Sequence, residues 1–152
     1  CGLPYAIGAK LANDDKVVIL VDGDSSFNMT LSDMKTVVEN NIPIKIIIMN
    51  NKSQMMVQAW EELFFENRIV ATENKHNPDY VKVAESYGIK GYSCMELEHL
   101  EETIKNVLNA NGPILCEFIV EKDICFPLIP PNNALHEMVY NKEDITSSTP
   151  PS

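Results

Sequence analysis

Val17-Val18-Ile19-Leu20-Val21-Asp22-Gly23-Asp24-Ser25-Ser26 and, further on, Ile44-Lys45-Ile46-Ile47-Ile48-Met49-Asn50-Asn51-Lys52-Ser53-Gln54 decide the fold. Each stretch is a short, β-branched, nearly unbroken apolar run that ends in a polar turn. Such runs read as parallel strands covered on both faces. Between them, Thr30 or Ser32 can cap a helix reaching Asn40, with Leu31, Met34, Val37 and Val38 on one face. Asn41-Ile42-Pro43 stops it, because proline disfavours helix in the residue before it. Strand, helix, strand implies a right-handed crossover. Both polar turns then emerge at the same carboxyl edge, where open α/β sheets bind ligands. The first turn offers the Asp24 carboxylate and the second the Asn51 carboxamide oxygen. These are hard donors, suited to Mg²⁺ carrying a phosphorylated ligand. Taken singly, each is an ordinary turn residue; their pairing at the ends of successive buried strands is what points to a site.

Outward from this centre the chain keeps alternating. Pro4 opens a helix through Ala12 whose small residues permit close packing on a sheet. Gln54 to Phe65 reads as a helix, 66–76 as loop with His76 at the surface, and Asn77-Pro78-Asp79 as a helix start with Asn77 as cap. Gly88 ends that helix in the left-handed conformation. A strand at Ile89–Cys94, a helix at Glu96–Ala110 with its acids early and a last buried strand at Ile114–Val120 complete the pattern. The expected architecture is a three-layer α/β/α domain with a mainly parallel sheet over 1–126. A proline-rich arm follows over 127–142, then a Ser/Thr/Pro tail over 143–152 expected to be disordered.

With 152 residues the chain suffices for one substantial core. A formal net charge of −10 argues against nucleic acid or an anionic membrane as partner. An anionic cofactor would then be held by a metal and by backbone N–H groups. No apolar run approaches a membrane span. The four cysteines, at 1, 94, 116 and 125, show no metal-site spacing and favour a reducing compartment.

Gly23-Asp24-Ser25 followed by Asn50-Asn51 resembles the cofactor motif of the thiamine-diphosphate enzymes. Gly23 through Thr30, Met56-Val57, Trp60, Leu63-Phe64-Phe65, Arg68, Asn77-Pro78-Asp79-Tyr80 and Pro127-Leu128-Ile129-Pro130 look like acetolactate synthase catalytic subunits. The resemblance implies thiamine diphosphate and Mg²⁺ as cofactors, with Asp24, Asn51 and a backbone carbonyl near Ser53 as metal ligands. Gly23, Ser25, Ser26 and the backbone N–H groups of Gln54, Met55 and Met56 would hold the phosphates, at the positive end of the helix that starts there. Met56 would approach the aminopyrimidine. The implied reaction is decarboxylation of pyruvate and transfer of the two-carbon unit to a second 2-oxoacid, pyruvate or 2-oxobutyrate, in branched-chain amino-acid synthesis. Read alone, Trp60 is core or interface packing; the resemblance makes it a wall of the substrate pocket. The 127–142 arm would fold over the cofactor.

No catalytic residue is expected within this chain. The family's activating glutamate belongs to an N-terminal domain, and FAD to a middle domain, so the chain by itself is expected to be inactive. Assembly as homodimer or tetramer would run through those other domains, with or without a regulatory subunit. The compartment stays open; a reducing one is favoured, such as bacterial cytoplasm or, in a eukaryote, plastid or mitochondrion. The family usually has glycine where Met55 stands and glutamine just before its tryptophan, where Ala59 stands here. Two alternatives stay open. One is another thiamine-diphosphate enzyme, such as a 2-oxoacid decarboxylase, pyruvate oxidase or glyoxylate carboligase. The other is a non-catalytic α/β ligand-binding module of flavodoxin-like type.

Overall fold

The computed structural model describes residues 1–147. The described residues divide into two compact units. The first joins Cys1–Lys52 to Lys75–Glu121; the second joins Ser53–Asn74 to the segment from Lys122 onward. The segment 53–74 thus groups with the arm rather than with the sheet domain expected over 1–126.

The first unit is built on four strands: β1 (Ile19–Gly23), β2 (Lys45–Asn50), β3 (Lys90–Cys94) and β4 (Ile114–Ile119). All pairings are parallel, in the order β1-β2-β4-β3. Alternation along each strand sends successive side chains to opposite faces. Leu20, Ile46 and Leu115 lie in one register row and face the larger core. That core is closed by α1 (Gly2–Ala12), α2 (Asp24–Asn28), α3 (Met34–Glu39) and α5 (Tyr80–Ser86), which bring Leu3, Ile7, Phe27, Met34, Val37 and Tyr80. On the other face Ile114, Cys116 and Phe118 pack with Val107 of α6 (Leu100–Asn109). The layers are therefore helix, parallel sheet, helix, as expected. Lys45, buried at the start of β2, donates from Nζ to the Ala110 and Gly112 carbonyls just past α6. Burial first, and then the Lys10 charge, lower its pKa. An apolar trough of ≈ 520 Å³ lies beside α6, walled by Ile19, Val21, Ile47 and Met49 among others. Cys94 and Cys116 are buried free thiols, Cys1 and Cys125 exposed ones. Burial, then Cys94 and Glu117, push the Cys116 thiol up to about 12.

Several expectations shift by specific amounts. β1 begins at Ile19, because its first rung pairs with Lys45, and it continues through Gly23. Asp24 does not sit in an open turn; it starts α2. The helix expected from Thr30 or Ser32 to Asn40 is a 3₁₀ turn, Leu31–Asp33, followed by α3, and neither residue caps by its side chain. The cap of α5 is Asp79, whose Oδ1 accepts from the Lys82 N–H at 3.0 Å, not Asn77. Gly88 has φ +84, the left-handed helix end read from the sequence.

The second unit holds α4 (Met55–Phe64) and the arm. The Ser53 and Glu73 backbones form an isolated antiparallel bridge, and the Gln54 N–H donates to the Thr72 carbonyl at 2.8 Å. Glu61 fastens the same loop, accepting from the Val70 N–H at 3.0 Å and from Thr72 Oγ1 at 2.5 Å. In the arm, Leu128 and Val139 exchange backbone bonds at 3.0 and 2.8 Å. The tail expected over 143–152 begins with a short helix, α7 (Lys142–Ser147), because Asn141 Oδ1 accepts from the Asp144 N–H at 3.0 Å as a cap. Positions 148–152 of that expectation lie outside the described residues.

Glycine at 91 is required by closeness. A Cβ there would stand 2.9 Å from Val81 Cγ1 and 3.0 Å from Val81 Cα, where α5 rides over β3. Gly91→Ala should therefore cost about 1–3 kcal/mol through overpacking. It would be read as a lower urea midpoint at unchanged slope.

Candidate functional site

The carboxyl edge of the sheet carries a chain of polar side chains on the same face as the large core. Asn50 continues the Ile46, Ile48 alternation, and Glu117 continues from Leu115. Ser93 is paired with Glu117 in the β3–β4 register. Asp24 follows β1 directly and is 1% exposed.

The direction of each bond follows from chemistry. A carboxylate only accepts, and the Asn50 amide nitrogen faces the one on Glu117; Nδ2 donates to Oε1 at 2.6 Å. Ser93 Oγ donates to Glu117 Oε2 at 3.3 Å. Asn50 Oδ1 then points the other way. It accepts from the Lys52 N–H at 3.0 Å and from Asn77 Nδ2 at 3.0 Å. The same Asn77 nitrogen donates to Asp24 Oδ2 at 2.6 Å. One nitrogen thus touches both oxygens, so the ends of β1 and β2 converge to within the span of two hydrogen bonds. Tyr80, fully buried, donates from its hydroxyl to the Asp24 carbonyl at 3.0 Å. Burial, then the Asp24 charge, raise its pKa, so the phenol stays a donor.

The sequence-derived residues distribute as follows. Gly23, Asp24, Ser25, Ser26 and Asn51 belong to the sheet unit at this edge, with Ser25 and Asn51 half-buried and Ser26 exposed. Ser53, Gln54, Met55, Met56 and Trp60 belong to the second unit. Ser53 Oγ is spent on Gln58 Oε1 and the Thr72 carbonyl. The Gln54 N–H, expected to hold phosphate, is committed to Thr72 instead. Loop closure at Ser53–Glu73 is the reason. The N–H groups of Met55 and Met56 open α4, where a helix offers no internal acceptor. Met55 itself is an ordinary helical residue, not one of the left-handed positions, so its departure from glycine costs no backbone strain. Trp60 stands edge-on to Phe64 at 5.4 Å and lines a cavity of ≈ 450 Å³ with Met56, Val57, Glu61 and Phe65.

Asn50, Asn77, Tyr80 and Glu117 were not assigned to the site by reading the sequence. Glu117 did carry a signal: it is the single charge in the buried strand Ile114-Leu115-Cys116-Glu117-Phe118-Ile119. Asn77 carried a misleading one, since Asn-Pro-Asp is ordinary helix-start chemistry.

The family described as "Thiamine pyrophosphate enzyme, C-terminal TPP binding domain" matches residues 1–118. The chain belongs to that family. Among curated relatives of this TPP-binding domain, the mitochondrial acetolactate synthase catalytic subunit of Aspergillus candidus is 41% identical over 145 residues, 94% of this chain and 21% of that protein. The mitochondrial catalytic subunit of Saccharomyces cerevisiae is 40% identical over 91% of this chain and 20% of its own length. The isozyme 2 large subunit of Escherichia coli is 33% identical over 91% and 25%. A solved thiamine diphosphate-dependent 4-hydroxybenzoylformate decarboxylase of Rhodococcus jostii RHA1 superposes with TM-score 0.75 at 30% identity. It covers 82% of this chain and 23% of that one. The TPP-binding domain thus spans between a fifth and a quarter of these relatives. Among its described residues no helix is long and apolar enough to cross a membrane.

Proposed function

We propose that this chain is the diphosphate- and Mg²⁺-binding domain of an acetolactate synthase catalytic subunit. The observation that carries the cation reading is the bridge from Asn77 Nδ2 to Asp24 Oδ2 and Asn50 Oδ1. It draws the acidic turn and the amide turn together. The donor set fits a hard cation. No group of three His, Cys, Asp or Glu side chains could hold a metal among the described residues. The remaining oxygens would come from Asn51, a carbonyl near Ser53, the diphosphate and water. The two charged side chains of the cluster, Asp24 and Glu117, are both acids, so a diphosphate there needs a divalent cation to offset the repulsion.

When bound, thiamine diphosphate supplies the carbon nucleophile for 2-oxoacid chemistry. The chain's own residues hold and orient it. Asp24 and Asn51 would fix the cation, Ser25, Ser26 and the opening N–H groups of α4 would meet the phosphates, and Met56 would face the ring system. Trp60 would wall the acceptor pocket, where an added methylene is worth about 1–3 kcal/mol. The activating glutamate, FAD and the oligomer contacts would come from other parts of a longer polypeptide. Pyruvate condensation is therefore assigned to the whole enzyme and not to this domain.

Isothermal calorimetry with thiamine diphosphate tests the cofactor reading. Saturable heat is expected in Mg²⁺ and none in excess EDTA; binding that ignores the cation would favour a generic α/β ligand module instead. The Rhodococcus decarboxylase motivates a second reading, an aldehyde-releasing decarboxylase. The higher identity to acetolactate synthases weighs against it. Product analysis on the longer polypeptide separates the two, acetolactate supporting the first and aldehyde the second.

A further inference from the structure

Glu117 has no role in the chemistry above, yet it is a buried acid inside a parallel strand. Burying a carboxylate is costly unless it is hydrogen-bonded, and both of its oxygens are engaged, by Asn50 and Ser93. What it accomplishes is directional. An asparagine amide can turn over, exchanging its oxygen and nitrogen at little steric expense. With an acceptor-only group on one side, Asn50 can present only its oxygen on the other. That oxygen does two things. It closes the turn around Asn51 by accepting from the Lys52 N–H, with Lys52 held at φ +56. It also accepts one proton of the Asn77 amide, leaving the other for Asp24. Both expected side-chain metal donors are therefore set by one chain of bonds that starts at Glu117.

We propose that Glu117 is a positioning residue for the cation site: by fixing the orientation of Asn50 it shapes the Asn51 turn and, through Asn77, aims the Asp24 carboxylate. This rests on the reading of the site as a Mg²⁺–diphosphate site. Outer partners that orient metal ligands typically change metal affinity by about 10–100-fold when removed.

Four variants test it by calorimetry with thiamine diphosphate and Mg²⁺. Glu117→Met keeps length and removes the acceptor, and should weaken cation-dependent binding by about 10–100-fold. Glu117→Gln keeps a carbonyl oxygen for Asn50, while the Ser93 hydroxyl can turn to accept from its amide; affinity should stay near wild type. Asn50→Asp sets two carboxylates against each other and should lose binding as Glu117→Met does. Combining Asn50→Asp with Glu117→Gln reverses the polarity of the pair and should recover most of the loss, a coupling that merely additive damage would not produce. A ligand-free readout accompanies these. The Asn50 side-chain amide protons should exchange slowly in the wild-type NMR spectrum and rapidly in Glu117→Met.

Unchanged affinity in Glu117→Met and Asn50→Asp overturns the proposal. So does failure of the double variant to recover, which also decides the matter if Glu117→Met does not fold. A wild-type chain that takes up no thiamine diphosphate with Mg²⁺ overturns the cofactor reading itself, and the role of Glu117 falls with it.

Discussion

Asp24→Ala is expected to lower Mg²⁺-dependent affinity for thiamine diphosphate by more than about 100-fold, beyond the range seen when only an outer partner of a ligand is lost. The side chain is 1% exposed and held from one side by Asn77 Nδ2 at 2.6 Å. Removing it deletes the one carboxylate expected among the protein donors, and with it the strongest attraction for a divalent cation. It also leaves an Asn77 proton without its acceptor in a half-buried setting, at a cost of up to about 1 kcal/mol on its own. Asp24→Asn should fall between wild type and alanine, since the amide keeps an oxygen but not the charge. Calorimetry measures the affinity, and far-UV circular dichroism shows whether the sheet unit is intact. Alanine binding as tightly as wild type, in Mg²⁺ but not in EDTA, would remove Asp24 from the site.

The largest loss of stability is expected from Phe27→Ala, about 3–5 kcal/mol. Phe27 is completely enclosed and meets the Tyr80 ring edge-on, centroids 5.9 Å apart at 72°. Domains of this size hold only about 5–15 kcal/mol in total, so the variant should sit near its unfolding threshold at ambient temperature. Urea titration followed by circular dichroism reads the change. The loss should also reach the site. Tyr80 rests on Phe27 and donates to the Asp24 carbonyl, so cofactor affinity should weaken even under conditions where the variant is folded. A change below 1 kcal/mol would mean that the α2–α5 contact is not a principal part of the core.

The reach of the primary structure differs from residue to residue. The Ile19–Val21 and Ile46–Ile48 runs declared parallel strands because unbroken β-branched sequence suits strands of a parallel sheet, although β1 buries only the Leu20 face and leaves Ile19 and Val21 exposed. Gly88 declared a helix end because its φ of +84 is open to glycine. Asp24 and Asn51 stood out because each lies in the polar turn that ends one of those runs. Asn77 was misread as a cap for a reason that no local pattern could correct. Its partners, Asp24 and Asn50, are 53 and 27 positions away, and the nearby Asp79 serves as the cap instead. The committed Gln54 N–H is the same kind of miss, since Thr72 reaches it only through the bridge of Ser53 to Glu73.

What the order of amino acids determined alone is the layer architecture, the strand identities and the two polar turns. These depend on periodicity and on backbone preference, both of which are local. What only the folded chain decided is which polar groups spend their bonds on one another: Glu117 with Asn50 and Ser93, Asn77 with Asp24 and Asn50, Tyr80 with the Asp24 carbonyl. A buried donor or acceptor must find a partner wherever the sheet register places one. That register is set by the pairing of strands far apart in the chain.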